Sequence, residues 1–299
     1  MRPPHAPRLI GSGGELVTVR GGAGLTLPSA SPAAGWAVVP PEIDLLADLR
    51  SGIARQEFVP FYQPILKLDT GELLGFECLA RWSHPGLGTI GPDRFIPIAE
   101  ESGNIAALSF ALLAQACRDA RAWPAPLTLS VNISPVQLLD PDLPLHLLRL
   151  LHGGGIAPGR LIVELTESRA VADMPSARRV LTSLRNAGIK VMLDDFGVGN
   201  ASLLCLHELP FDGLKVDRSF LSALDSISGR TIIRSIIDLT RNLGMTAVIE
   251  GVERREQAEL LSAMGYESAQ GFLFGRAMPA PAALQMIANE APRRRSAVG

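Results

Sequence analysis

The sequence predicts an α/β protein whose strands and helices alternate around a closed barrel. Strand-length apolar runs near 127–133, 161–166, 190–195, 213–216, 246–250 and 269–274 alternate with helical stretches near 103–120, 136–151, 173–187, 229–243, 254–264 and 280–289. Several helices finish before a Gly and then a strand, as in Asn186-Ala187-Gly188 and Asn242-Leu243-Gly244. The alternation is long enough to close a barrel, and 299 residues can bury a core of that size.

Residues 1–41 are rich in Gly, Pro, Ser and Ala and read as a flexible arm. Order begins near residue 42, where Ile43, Leu45, Leu46, Leu49 and Ile53 fall at helical spacing. A hairpin follows: 58–68 and 72–82 are strand-like and joined by Asp69-Thr70-Gly71. The alternating pattern then runs to 289, making 42–289 one barrel domain. Residues 290–299, with Arg293-Arg294-Arg295, read as a disordered basic tail.

A net charge of −2 gives no electrostatic footprint for DNA, RNA or an anionic membrane. Cys78, Cys117 and Cys205 lie far apart, without zinc or redox-motif spacing, and read as core thiols of a reducing cytoplasm. The longest helix-like apolar stretch, 105–117, is too short to span a bilayer. Arg2 is followed by no apolar signal region.

The acids carry the chemistry. Glu77 lies in the second hairpin strand, and strand parity puts Glu77, Leu79 and Arg81 on one face. Asn132 shares a small polar face with Thr128 and Ser130. Glu164 and Glu250 sit on strands, with Glu167 and Glu253 in the loops after them. Asp194 and Asp195 close another strand; being adjacent, they can serve one site only where the chain leaves the strand, and Phe196-Gly197 supplies a departure. Lys215 and Asp217 share a face. Each has a plain structural explanation by itself: a cross-strand ion pair, a half-exposed strand, a turn, a counter-ion. Together, five or six acids on one rim would repel strongly unless cations joined them. No histidine falls at a pocket strand end, so oxygen-loving Mg²⁺ or Mn²⁺ is expected rather than zinc. Several carboxylates and one amide suit two ions about 3.5–4 Å apart on a phosphodiester.

With these residues in place the chain resembles the EAL-domain family, bacterial phosphodiesterases acting on cyclic di-GMP, from about residue 42 to 289. The matching segments are Tyr62-Gln63-Pro64-Ile65, Glu77-Cys78-Leu79-Ala80-Arg81-Trp82, Val131-Asn132-Ile133-Ser134 and Glu164-Leu165-Thr166-Glu167. Asp194-Asp195-Phe196-Gly197, Lys215-Val216-Asp217, Glu250-Gly251-Val252-Glu253 and Ala269-Gln270-Gly271-Phe272 follow in order. The resemblance implies a modified (β/α)8 TIM-like barrel whose first strand is antiparallel, in agreement with the hairpin. It implies metal ligation by Glu77, Asn132, Glu164, Asp194, Asp195 and Glu250, with Asp217 close by. It implies a catalytic set of Lys215, Glu77 and Glu250, with Lys215 matching the lysine that contacts the attacking water. Gln63, Leu79, Arg81 and Gln270 match substrate contacts, and Glu167 and Glu253 match supporting acids. The implied activity is two-metal hydrolysis of cyclic di-GMP to linear pGpG by a homodimer.

Two rival readings are a receptor that binds cyclic di-GMP without cutting it and a barrel enzyme for another phosphate ester. Receptors of this kind typically lose metal ligands, and none of the matched ligands is missing here; departures elsewhere, Val198, Asn200 and Ala201 where Thr or Ala, Tyr and Ser are usual and Ile249 where Ala is common, imply lower activity or activity less coupled to dimerisation.

Overall fold

A computed structural model describes residues 45–166, 173–198 and 203–296. The strands are β1 (Phe58–Lys67), β2 (Leu73–His84), β3 (Gly88–Ile90), β4 (Thr128–Ile133), β5 (Leu161–Thr166), β6 (Lys190–Phe196), β7 (Gly213–Val216), β8 (Thr246–Ile249) and β9 (Ser268–Gln270). They run β1-β9-β8-β7-β6-β5-β4-β2, and β1–β2 pairing closes the ring into an eight-stranded barrel, with β3 extending the edge of β2. β1 is antiparallel to both neighbours, β2 and β9, while every other neighbour pair around the ring is parallel. The expected reversed first strand and TIM-like fold are therefore present.

Helix α1 (Leu45–Ala54) precedes the barrel, and α2 (Pro92–Glu101) and α3 (Ile105–Ala120) connect the hairpin to β4. Thereafter α4 (Leu143–Gly154), α5 (Met174–Asn186), α6 (Leu203–Glu208), α7 (Ile227–Asn242), α8 (Arg255–Met264) and α9 (Ala280–Ser296) follow the strands in turn. Local chemistry sets their ends. Asp173 and Ser226 accept backbone N–H bonds at the starts of α5 and α7. Gly155 and Gly265 close α4 and α8 in the left-handed region, at φ 71° and 99°, which costs glycine little.

Three elements differ from the sequence reading. The helix expected over 136–151 is a 3-10 turn (Pro135–Leu139) followed by α4, because Pro141 and Pro144 interrupt the backbone ladder between them. The strand expected over 269–274 stops at Gln270; its apolar tail Phe272, Leu273 and Phe274 is loop. Helix α9 runs past 289 to Ser296. The sequence reading does not contain α2, α6 and β3; α6 and β3 are too short for their periodicity to register.

The main core lies between the strands' outer faces and the helices; Phe76, Leu129, Val163, Val191, Leu214 and Ile249 belong to it. A separate small cluster of Ile65, Met192 and Val248, with Ile162 against it, comes from the opposite strand faces and fills the barrel interior. Two residues further along their strands, on the same face, stand Glu164, Asp194 and Glu250. Gly75 and Gly213 hold the equivalent places before Glu77 and Lys215. A Cβ on Gly213 would come within 3.1 Å of Met192 Cε. An apolar plug thus floors the barrel, and the carboxylates form the next layer up.

Candidate metal centre

Lys215 is the hub of that layer, with a side chain 1% exposed. Its Nζ lies 3.1 Å from Glu77 Oε2, 2.9 Å from Glu164 Oε2, 3.1 Å from Asp194 Oδ1 and 2.6 Å from Glu250 Oε1. Asn132 Nδ2 donates to Glu77 Oε1 at 2.9 Å, which turns the amide oxygen away from that carboxylate. Gln270 Nε2 donates to Glu77 Oε2 at 2.7 Å. Residues from β2, β4, β5, β6, β7, the end of β8 and β9 therefore meet at one point.

The adjacent aspartates reach it together through a bulge. The β6–β7 register shifts between Leu193 and Phe196, and Asp195 takes a left-handed φ of 56°. An extra residue in β6 is what allows Asp194 and Asp195 to face the same space; the chain departs from regular strand one residue before the expected Phe196-Gly197. Asp195 N donates to Asp194 Oδ1 at 2.9 Å.

One ammonium among these carboxylates leaves excess negative charge. Burial, with the neighbouring acids Glu77 and Asp194 adding to it, holds Glu164 well above the ordinary carboxylate range against the pull of Lys215. Burial likewise raises Asp194, pushes Asp195 up to about 6 and pushes Glu250 up to about 8. Glu77 goes the other way: burial raises it, but the Lys215 charge and the bonds from Gln270 and Asn132 outweigh that. Burial disfavours charge on Lys215, yet its carboxylate partners hold it protonated.

This donor set fits divalent cations. Ligand oxygens of Glu77, Glu164 and Asp194 lie within 4.8 Å of one another, as do those of Asp194, Asp195 and Glu250. The two groups share Asp194. Glu164 Oε1 is buried without a hydrogen-bond partner among the described residues. Hard oxygen donors in two overlapping sets match Mg²⁺ or Mn²⁺ better than zinc.

A cavity of about 720 Å³ opens over the centre. Gln63, Glu77, Leu79, Asn132, Asp194, Asp195, Lys215, Asp217, Glu250, Glu253 and Gln270 all line it. Asp217 also caps the following 3-10 turn through Ser219 N at 2.8 Å. Arg81, two residues beyond Leu79 on the same strand face, is 7% exposed; its guanidinium stands 5.6 Å from the Phe61 ring centroid, and Nη1 donates to Ala80 O. Glu167 and the loop positions Asn200 and Ala201 lie outside the described residues. Asp93, Arg218 and Phe272, which the sequence reading does not single out, line the same cavity. Asp93 and Arg218 lie outside the eight motifs; Phe272 ends one of them but reads there as strand.

The EAL domain profile matches residues 46–277. An uncharacterized signaling protein of Caulobacter vibrioides is 42% identical over 240 residues, 80% of this chain and 30% of that protein. The bifunctional diguanylate cyclase/cyclic di-GMP phosphodiesterase MucR of Pseudomonas aeruginosa is 38% identical over 252 residues, 83% of this chain and 37% of MucR. This chain thus spans about a third of the length of these relatives. The cyclic di-GMP phosphodiesterase PdeL of Escherichia coli is 36% identical over 248 residues, 81% of this chain and 67% of PdeL. The solved MucR phosphodiesterase in complex with c-di-GMP superposes with a TM-score of 0.74 at 38% identity, covering 80% of this chain and 99% of that one. By profile, by sequence and by fold, the chain belongs to the EAL domain family.

Proposed function

We propose that this chain is a Mg²⁺- or Mn²⁺-dependent phosphodiesterase that hydrolyses cyclic di-GMP to linear pGpG. The observation that carries the proposal is the carboxylate layer around Lys215, with its two overlapping donor sets at the base of an open cavity. The activities of the MucR and PdeL relatives support the substrate, and the MucR complex supports a cyclic dinucleotide in this fold.

Glu77, Asn132, Glu164, Asp194, Asp195 and Glu250 would hold two ions, with Asp217 near. Bound there, the ions would polarise the scissile phosphodiester and lower the pKa of the attacking water. Lys215 stays protonated, orients that water and offsets charge developing on the phosphoryl oxygens. Gln63, Leu79 and Gln270 hold the nucleotide at the cavity wall. Arg81 helps hold the nucleotide through its guanidinium. Glu253, at the rim, is a supporting acid, and Glu167 takes the role of steadying the loop after Asp194-Asp195. The functional unit in this reading is a homodimer.

The test is incubation with cyclic di-GMP and Mg²⁺ or Mn²⁺, followed by chromatography. We expect pGpG, none when EDTA is present. Binding without product would favour the receptor reading.

A further inference from the structure

The last member of the final motif, Phe272, carries no metal-ligating atom, yet its surroundings are unusual. Its side chain is 45% exposed although it lines the cavity above the carboxylates. The guanidinium carbon of Arg276 lies 3.8 Å from its ring centroid, close enough to stack flat on one face.

The loop carrying this pair is fixed. Leu273 N donates to Val252 O at 3.0 Å, while Phe274 N and Gly275 N each donate to Gly271 O at 3.1 Å. Gln63 Nε2 donates to Gly275 O at 3.3 Å, tying the loop to β1. Gly271 lets the chain pass close by: a Cβ there would stand 2.1 Å from Val252 O. A half-exposed phenyl ring on a pinned loop, backed by a cation, is a preformed apolar plane. Leaving it in water is unfavourable unless a flat partner covers it.

We propose that Phe272, backed by Arg276, is the stacking platform for one purine base of the substrate. The inference rests on the cyclic dinucleotide reading above and adds a residue that sets affinity and pose. Arg276 raises the positive potential next to a base whose ribose carries phosphate on both sides. Stacking is tolerant of base identity, because every base has a π face. Phe272 therefore positions a purine without choosing guanine over adenine.

The experiment compares wild type with Phe272→Leu, Phe272→Trp and Arg276→Gln. KM and kcat are measured for cyclic di-GMP, or Kd by calorimetry if binding occurs without turnover. Phe272→Leu keeps apolar volume and removes the π face. It is expected to raise KM about tenfold or more, as loss of a base–aromatic stack does, with kcat changed less than about twofold. Phe272→Trp is expected to restore KM, and its added indole fluorescence to be quenched by saturating ligand. Arg276→Gln should raise KM by about two- to fivefold. Thermal melts report whether each variant keeps the fold. A folded Phe272→Leu with wild-type KM overturns the platform while leaving the phosphodiesterase reading intact. So does an indole signal in Phe272→Trp that saturating ligand fails to quench. A wild-type chain that neither binds nor cleaves cyclic di-GMP overturns both.

Discussion

At the scale of single residues, the centre depends on a charge imbalance. Four carboxylates contact one ammonium, and three of them, Glu164, Asp194 and Glu250, are raised by burial. Glu77→Ala should abolish turnover, because it removes a ligand and also the acceptor of both Asn132 and Gln270. Near-normal pGpG formation by that variant would defeat the metal assignment. Lys215→Met leaves the carboxylates without their counter-charge. Breaking a buried ionic network this way costs about 3–5 kcal/mol. The loss should be large at pH 7.5 without divalent ions and smaller at pH 5, where the acids protonate. Equal denaturation midpoints for wild type and variant at pH 7.5 would contradict that account. These residues were legible in the sequence because each motif carries a polar side chain at the end of an apolar run. That Arg81 stands over the Phe61 ring was not legible, since parity sets a face and not a partner.

At the scale of elements, two local devices aim the chemistry. One is the β6 bulge, which turns Asp194 and Asp195 to the same centre. The other is the close pass of the loop after β9 against the loop after β8. Gly271→Ala would force a Cβ to 2.1 Å from Val252 O. Overpacking of this kind costs about 1–3 kcal/mol. We expect a lower melting temperature together with a raised KM, because Gln270 and Phe272 flank the displaced backbone. A drop in melting temperature with KM unchanged would show that the loop's position does not matter to the substrate. The segment after Asp195 departs from the family pattern at Val198, Asn200 and Ala201. The triple variant Val198→Thr/Asn200→Tyr/Ala201→Ser is expected to raise turnover, and pGpG rates measured side by side would show no gain if those positions are neutral. The register shift in β6 could not be read from a sequence in which Asp194 and Asp195 are merely neighbours.

At the scale of the whole molecule, the barrel separates stability from chemistry. The helix-packed outer core and the Ile65–Met192–Val248 plug supply apolar burial; the layer above them concentrates charge. That layer couples global stability to pH. Glu250 near 8, Asp195 near 6 and the raised Glu164 bind protons in the folded state that they would release when unfolded. The unfolded chain therefore holds fewer protons between about pH 4.5 and 8, and unfolding free energy falls as pH rises through that window. Lys215, raised above its ordinary value, contributes stability that is lost only at alkaline pH beyond this window. Glu77, lowered, contributes stability lost only at acid pH below it. Melting temperature in EDTA should thus decline from pH 5 to pH 8. Saturating Mn²⁺ should reverse the decline, because ions at 100 times their Kd stabilise by about 2.7 kcal/mol. A flat pH profile in EDTA would argue against the buried acid layer.

The alternation of strands and helices after the opening hairpin, the oxygen-rich donor set and the strand face of Glu77 and Leu79 followed from the sequence by itself, because period, parity and residue chemistry are local properties. Only the tertiary structure decided that β1 closes the ring by pairing with β9, that a bulge brings two neighbouring aspartates to one centre, and that Lys215 touches four acids carried by β2, β5, β6 and the end of β8. The physical reason is that these features depend on register and barrel closure, which arise when segments far apart in the chain are packed against a shared interior.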